Sequence, residues 1–204
     1  PQFLMPFHTL IPPYGVSPAL SGHAWVPIDD EHTMALCFTY HPADPLSAEQ
    51  LELLREPRNG LEGLHPSVDA FEPPPAVPGT ATWRTKLTLE RGFPIDWDAQ
   101  DTERFSGLPG VWPQDTAMQE GMGPVYDRTR EHLGTTDMGI IRVRKRLIEA
   151  ARSLADQGVT PPGADQPMQY AVRAASAVVE LDGSWIDATA VPRVAEPGIN
   201  YDSP

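Results

Sequence analysis

The chain has 204 residues, enough to bury a substantial core, and its 24 prolines and 16 glycines indicate long irregular connections. Its formal net charge of −13 argues against nucleic acid and anionic membrane surfaces, which require a clustered basic excess. It has no run of about eighteen apolar residues, so no membrane span is expected. The single cysteine, Cys37, excludes a disulfide framework within the chain and fits a reducing cytoplasm.

The first forty residues carry the patterns of an antiparallel sheet. Residues 3–11 are apolar and aromatic, and Pro6 would confine a strand there to a sheet edge or a bulge. Residues 23–28 are a second strand candidate, and residues 33–40 alternate between two faces. The polar residues 29–32 between them predict a turn rather than a metal site, because consecutive extended side chains point to opposite faces. We therefore predict a hairpin over residues 22–40.

The middle of the chain combines a short helix with irregular segments. Residues 47–56 predict a helix with a capping box, in which Ser47 caps and Gln50 follows three residues later. Residues 58–79 are rich in proline, glycine and acid and predict a long loop. Residues 82–89 alternate again and predict a strand.

The segment from 112 to 158 predicts two helices. Trp112-Pro113 favours a helix start, because proline at the first helical position gives up an N–H that has no intrahelical partner, and Asp115 then lies in the first turn. Residues 121–124 should break this helix.

A short helix is predicted over residues 126–133, followed by a long helix that Thr136 caps and Gly158 ends. The apolar stripe of the long helix is crossed only by Arg144, which predicts that the helix lies across the sheet. Residues 169–180 predict one more helix, and a loose tail is expected from Leu181.

Ion pairs, solvation and the helix dipole explain the charged residues of this region without a functional site. The dense polar group over residues 127–132 predicts ion pairs at helical spacing, with His132 as a surface residue. The basic run at 142–146 predicts a solvated helix face. Taken alone, Asp115 needs no function either, since a carboxylate near a helix N-terminus interacts favourably with the helix dipole.

Several short blocks, taken together, resemble one known family. In chain order they are PFHTLIPP, WVPIDDEHT, the FSG of 105–107, QDTAMQE, and GPVYDRTREHLGTTD followed by a basic helix. From about Phe3 to Pro162 the sequence resembles the C-terminal half of the catalytic domain in Rieske non-haem iron ring-hydroxylating oxygenases, of the phthalate dioxygenase and aromatic O-demethylase type. The resemblance implies an α+β, helix-grip (START/Bet v 1-like) fold, with an antiparallel sheet and a long C-terminal helix, incomplete in this chain.

On this basis we expect residues 1–163 to be the C-terminal part of the catalytic domain. Residues 164–204 would form a C-terminal helix and loose tail.

The resemblance also implies a metal ligand. The aspartate of the family's QD pair is the carboxylate of a two-histidine, one-carboxylate iron site, and it maps onto Asp115. Gln114, Met118 and Gln119 are candidates for orienting that ligand or lining a substrate pocket, with ordinary helix surface as the alternative.

Other parts of the family pattern are missing. No two of the six histidines are four or five residues apart, and one cysteine cannot supply the two thiolates of a Rieske cluster. We therefore expect a fragment that begins inside the catalytic domain, with the Fe(II) and the [2Fe–2S] cluster belonging to the longer protein.

The function implied by the resemblance is that of a terminal oxygenase, either a dioxygenase or a monooxygenase that O-demethylates. Its partners would be dioxygen, an aromatic and preferably carboxylated substrate, and an NAD(P)H-dependent reductase, in a cytoplasmic homotrimer without nucleic acid or membrane. A hydrolase is disfavoured, because no G-x-S-x-G, glycine-rich phosphate loop or H-E-x-x-H occurs.

Two alternatives stay open. An iron-free helix-grip module could bind a small aromatic or apolar ligand, or the chain could be a purely structural subunit. An enzyme requires Asp115 to face a cavity, whereas a binding module allows it to face solvent.

Overall fold

The computed structural model describes residues 1–12, 20–41, 44–55, 84–93 and 95–195. The chain divides into two compact units, one made of residues 1–46 and 127–204 and the other of residues 47–126. The predicted division at residues 163 and 164 stays a prediction. In the described part of the chain, no helix has both the length and the apolar character needed to cross a membrane.

The first unit contains an antiparallel sheet of four strands in chain order: β1 (Gln2–Leu4), β2 (His8–Ile11), β3 (Leu20–Pro27) and β4 (Thr33–Tyr40). β3 and β4 pair along their whole length, which confirms the predicted hairpin. The Trp25 indole N–H donates to Thr9 Oγ1 at 2.9 Å and links β3 to β2. Leu10, Leu20 and Ala24 are buried on these strands.

Residues 3–11 do not form one strand. They contribute to two paired strands around a turn at residues 5–7, with β1 at the edge of the sheet. Proline has no N–H to donate to a ladder, so a turn at Pro6 loses no sheet hydrogen bond there.

The strand predicted over residues 82–89 is not formed in its described part, residues 84–89. Instead, Leu89–Arg91 form a 3₁₀ turn capped by Thr88. Within this part a β-bridge is limited to Thr85, whereas a strand needs a neighbour that satisfies its backbone groups along several residues. The loop predicted over residues 58–79 lies outside the described residues.

The described part of the second unit contains three α-helices: α1 (Ala48–Arg55), α2 (Trp97–Thr102) and α3 (Val111–Glu120). The predicted capping box of α1 is present: Gln50 N donates to Ser47 Oγ at 3.1 Å, and Ser47 N donates to Gln50 Oε1 at 2.8 Å. At α2, Asp96 Oδ1 accepts from Ala99 N at 2.9 Å.

The long helix α4 (Met138–Gln157) belongs to the first unit and ends at Gly158, as predicted, in a left-handed C-cap. Its start differs, because a 3₁₀ turn (Thr135–Asp137) precedes it and Thr136 is not the cap. Gly134 N donates to Asp137 Oδ2 at 2.8 Å, so the side chain of Asp137 closes this turn. Only a 3₁₀ turn (Arg128–Arg130) forms within the helix predicted at 126–133.

An antiparallel sheet with a long C-terminal helix confirms the predicted α+β class and is consistent with a helix-grip fold. The stripe of α4, however, is not buried against the sheet. No α4 residue is buried, and Ile140 and Ile148 are each 51% exposed. A periodic pattern identifies the apolar face of a helix but not the surface that covers it.

The C-terminal part of the first unit also departs from expectation. Residues 169–180 form no α-helix; a 3₁₀ turn (Pro167–Tyr170) is followed by irregular chain and a short helix α5 (Trp185–Ala188). The tail is not loose up to residue 195, because Val172 and Val194 form an antiparallel bridge. The bridge pairs the backbone at residues 171–173 with residues 193–195.

Candidate functional site

The helix that carries Asp115 begins earlier than predicted. α3 starts at Val111, so Pro113 is its third residue and Asp115 lies in the second turn rather than the first. Pro113 is still tolerated, because the first N–H groups of a helix have no intrahelical partner.

The turn at residues 105–107 directs the chain toward α3. Asp96 N donates to Gly107 O at 3.0 Å, and Gly107 has a positive φ of 67°. A Cβ at this position would lie 2.6 Å from Asp96 O, so the two backbone segments approach as closely as glycine permits. Leu108 follows and is buried.

Gln114 holds the start of α3. Its side-chain amide Nε2 donates to Gly110 O at 2.7 Å and lies 3.5 Å from Leu108 O. This donor ties the first turn of the helix to the backbone carbonyls that precede it, while the free N–H groups of that turn receive no side-chain cap from Gly110.

Glu120 holds the other end of α3. Its Oε2 accepts a hydrogen bond from Leu89 N at 3.0 Å, which ties the last turn to the 3₁₀ turn at Leu89–Arg91. Nothing in the sequence identifies this partner, because the two residues are thirty-one positions apart. The structure thus gives the Glu120 carboxylate an anchoring contact.

Asp115 itself is exposed, and its side chain makes no hydrogen bond or ion pair within the described residues. Met118 and Gln119, three and four positions on, lie on the same side of the helix and are also exposed, Met118 by 73%. Among the described residues, no group of three His, Cys, Asp or Glu could hold a metal. One carboxylate is too few donors for an iron site, so these residues do not fit the ion by themselves.

The polar run at 29–32 is a turn, as predicted. Asp29 Oδ1 accepts from Glu31 N at 2.8 Å and His32 N at 2.7 Å, and it lies 2.8 Å from His32 Nδ1. The hydrogen bond from Glu31 N, followed by that of the His32 ring, lowers the pKa of Asp29. The carboxylate of Asp29 therefore makes its hydrogen bonds within its own loop.

The polar group at 127–132 contains the ion pair predicted at i, i+3 spacing. Arg128 Nη1 lies 2.9 Å from Glu131 Oε1, and Arg144 Nη1 lies 2.5 Å from Glu131 Oε2. The hydrogen bond from Arg144, with a smaller one from Arg128, lowers the pKa of Glu131. The arginine that interrupts the apolar stripe of α4 therefore has an acidic partner on the preceding segment.

Cys37 lies on β4 and is partly buried. Desolvation by this burial raises the pKa of its thiol to about 11. Such a thiol is protonated at neutral pH, as is typical of a cysteine that packs rather than reacts.

Comparisons with known proteins match most of this chain. The sequence profile of the LigXa C-terminal domain-like family matches residues 77–202. The 3-chlorobenzoate-3,4-dioxygenase oxygenase subunit of Comamonas testosteroni is 34% identical over 170 residues, which cover 83% of this chain and 38% of that protein. The phthalate 4,5-dioxygenase oxygenase subunit of Pseudomonas putida is 27% identical over 135 residues, covering 58% of this chain and 30% of that protein.

Proposed function

Since the chain belongs to the LigXa C-terminal domain-like family, whose profile matches residues 77–202, we propose that it is part of the terminal oxygenase of a Rieske non-haem iron system. The full protein would use dioxygen and electrons from an NAD(P)H-dependent reductase to hydroxylate or O-demethylate an aromatic substrate. The observation that carries this proposal is the 34% identity over 170 residues to a dioxygenase oxygenase subunit.

The proposed substrate class is an aromatic carboxylate. Both relatives are named for such compounds, 3-chlorobenzoate in one and phthalate in the other. The two molecules share a planar apolar ring and an anionic carboxylate, so a pocket for this class needs an apolar wall and a cationic or hydrogen-bonding group.

Within this proposal, Asp115 is the carboxylate ligand of a mononuclear Fe(II). The chain spans 38% of the chlorobenzoate relative and 30% of the phthalate relative. Because one carboxylate is too few donors, we propose that the two imidazoles and the [2Fe–2S] cluster are supplied from outside the described residues. The assembly would be a cytoplasmic homotrimer.

Exposed apolar side chains on the unit that carries Asp115 support the proposal that part of its surface is covered in the full protein. Met118, one helical turn away, is 73% exposed, and Phe105, in the turn that precedes α3 in the same unit, is 98% exposed. Exposed large apolar side chains on one compact unit are typical of a surface that contacts another part of a protein or a ligand.

One observation favours the alternative, an iron-free binding module. Asp115 faces solvent in this structure, as a binding module allows. Iron content decides between the two functions, since the binding module retains none.

The test is Asp115→Ala and Asp115→Asn in the full-length protein. We expect both variants to lose most of their iron and their turnover of aromatic carboxylates, with an unchanged thermal melt, because an exposed side chain without contacts contributes little to stability. Iron is measured by atomic emission and folding by circular dichroism.

The matched control is Asp101→Ala, which removes another exposed helical aspartate from the same unit. It should retain iron. Wild-type iron occupancy in Asp115→Ala would refute the ligand assignment, and an iron-free wild-type protein would favour the binding module.

A further inference from the structure

The four-stranded sheet of the first unit has two chemically different faces. One face carries the buried apolar side chains of Leu10, Leu20 and Ala24. Cross-strand partners, and residues two apart along a strand, share a face, and the pairing of Thr9 with His23 and of His23 with Cys37 therefore defines the opposite one. This opposite side, termed the Thr9 face, includes Thr9, Ser21, His23, Trp25, Cys37 and Thr39.

The Thr9 face does not have the composition of a surface that turns to water. The described strands β1 to β4 contain no Asp, Glu, Lys or Arg, although charged residues make up 21% of the whole chain. Solvated protein surfaces are rich in charged side chains. The six side chains of the Thr9 face are moreover half-buried. This face is therefore suited to contact with something other than bulk water.

The Thr9 face is equally unlike an ordinary core. Hydroxyl, imidazole and indole groups are buried favourably only when they are hydrogen-bonded. Ligand pockets, by contrast, combine aromatic walls with a small number of placed polar groups. The rings of His23 and Trp25 lie side by side here, with centroids 5.1 Å apart, and the hydroxyl of Thr9 contacts the indole.

The hydroxyl of Thr9 is a positioned donor. Its Oγ1 accepts the indole N–H of Trp25 at 2.9 Å, and within the described residues its own O–H has no acceptor. The accepted hydrogen bond fixes the oxygen and polarises the hydroxyl, which strengthens it as a donor. Thr9 thus offers one oriented O–H beside two aromatic rings.

We propose that the Thr9 face binds the aromatic carboxylate, with its ring against Trp25 and His23 and a carboxylate oxygen accepting the Thr9 O–H. This inference rests on the proposed function, which supplies the class of ligand. An ionised carboxylate only accepts hydrogen bonds, so it complements a donor, and hydrogen bonds to a charged acceptor are the stronger kind. Trp25 is then both part of the wall and the residue that positions Thr9.

The test uses the full-length protein and two probes, 3-chlorobenzoate and chlorobenzene, which differ only by the carboxylate. Thr9→Val keeps nearly the same side-chain shape and removes the hydroxyl. We expect its affinity for 3-chlorobenzoate, measured by isothermal titration calorimetry, to fall about tenfold or more, as for a lost hydrogen bond to a charged group. Its affinity for chlorobenzene should not change, and Thr9→Ser, which retains the hydroxyl, should bind both probes like wild type.

Thr39→Val is the matched control. The Thr39 hydroxyl lies 3.3 Å from Ser21 Oγ on the same sheet, on β4 rather than β2, so its removal should leave the affinity for both probes unchanged. Trp25→Phe keeps an aromatic ring and removes the N–H that positions Thr9, so it should weaken binding of 3-chlorobenzoate more than binding of chlorobenzene. Circular dichroism checks the fold, and Trp25→Phe supplies the measurement if Thr9→Val loses its cooperative melt.

Four results would overturn the inference: no binding of 3-chlorobenzoate by wild type, equal affinity in wild type and Thr9→Val, an equal loss for both probes, or the same loss in Thr39→Val. Iron content separates this inference from the proposed function. A selective loss in Thr9→Val on an iron-free wild type would support the carboxylate site and count against the oxygenase. Iron and turnover in a wild type whose affinity Thr9→Val does not change would do the reverse.

Discussion

At the residue scale, the clearest electrostatic arrangement is centred on Glu131. Its side chain is 19% exposed and contacts two guanidinium groups, those of Arg128 and Arg144. Arg144 interrupts the apolar stripe of α4, and the carboxylate of Glu131 neutralises its guanidinium group, which is 36% exposed. The pair joins the segment before α4 to the helix.

Glu131→Gln should lower the melting temperature at neutral pH and have progressively less effect in acid. The folded pKa of Glu131 is lowered from the ordinary value of 4.5, so its stabilising contribution is present above that pH and is lost as the pH falls through the lowered pKa. Thermal melts of both proteins between pH 7 and about pH 3 measure this.

Glu149→Gln is the control for that series. Glu149 lies 3.8 Å from Lys145, and both side chains are well exposed, so the pair contributes little. Equal melting curves for wild type and Glu131→Gln at pH 7 would show that the Arg144 contact does not stabilise the fold.

At the element scale, side chains at both ends of α3 form anchoring hydrogen bonds, and the exposed side chain of Asp115 lies between them. Gln114 bonds to the backbone before the helix, Glu120 bonds to Leu89 N, and the Asp115 side chain between them has no hydrogen bond or ion pair within the described residues. An anchored helix presents an exposed side chain in a fixed direction without using it for stability, which suits a residue that serves a ligand.

Gly107→Ala should destabilise the unit that carries α3 by about 2 kcal/mol or more, because a left-handed backbone and a steric clash combine. Gly107 has φ 67°, and its added Cβ would meet Asp96 O at 2.6 Å. Chemical denaturation followed by circular dichroism measures the free energy of unfolding.

Gly158→Ala is the matched comparison at the end of α4. Its φ is 68°, but no atom lies within 4 Å of an added Cβ, so only the conformational cost of about 1 kcal/mol is expected. If the two substitutions cost the same, the close approach of Asp96 to Gly107 has no energetic consequence.

At the scale of the whole molecule, the chain supplies one part of the proposed site. It covers 38% of the length of one relative and 30% of the other, and it offers the carboxylate without a metal-binding group of three donors among the described residues. Three facial ligands are needed to hold iron and leave positions open.

We therefore expect the 204-residue chain, expressed alone, to bind no stoichiometric iron, while the full-length protein does. Anaerobic reconstitution with Fe(II), gel filtration and atomic emission give the ratio, and circular dichroism reports whether the α+β fold is present. Stoichiometric iron in the folded chain would mean that its own residues complete the site, contrary to the proposal that the other ligands belong to the rest of the protein.

Features set by neighbouring residues were predictable from the sequence. The β3–β4 hairpin, the Ser47–Gln50 capping box and the left-handed end of α4 at Gly158 all depend on short-range geometry and appear as expected. The resemblance of the ordered blocks to ring-hydroxylating oxygenases is confirmed by the family match and the two relatives.

Contacts between distant residues were decided by the tertiary structure alone. Arg144 pairs with Glu131, and Glu120 accepts a hydrogen bond from Leu89 N. Val172 pairs with Val194 in a region where a helix and a loose tail had been expected. Local propensity and periodicity describe what one segment favours, whereas packing selects which of many possible partners satisfies a buried or charged group. For the same reason the apolar stripe of α4 was visible in the sequence, but its exposure was not.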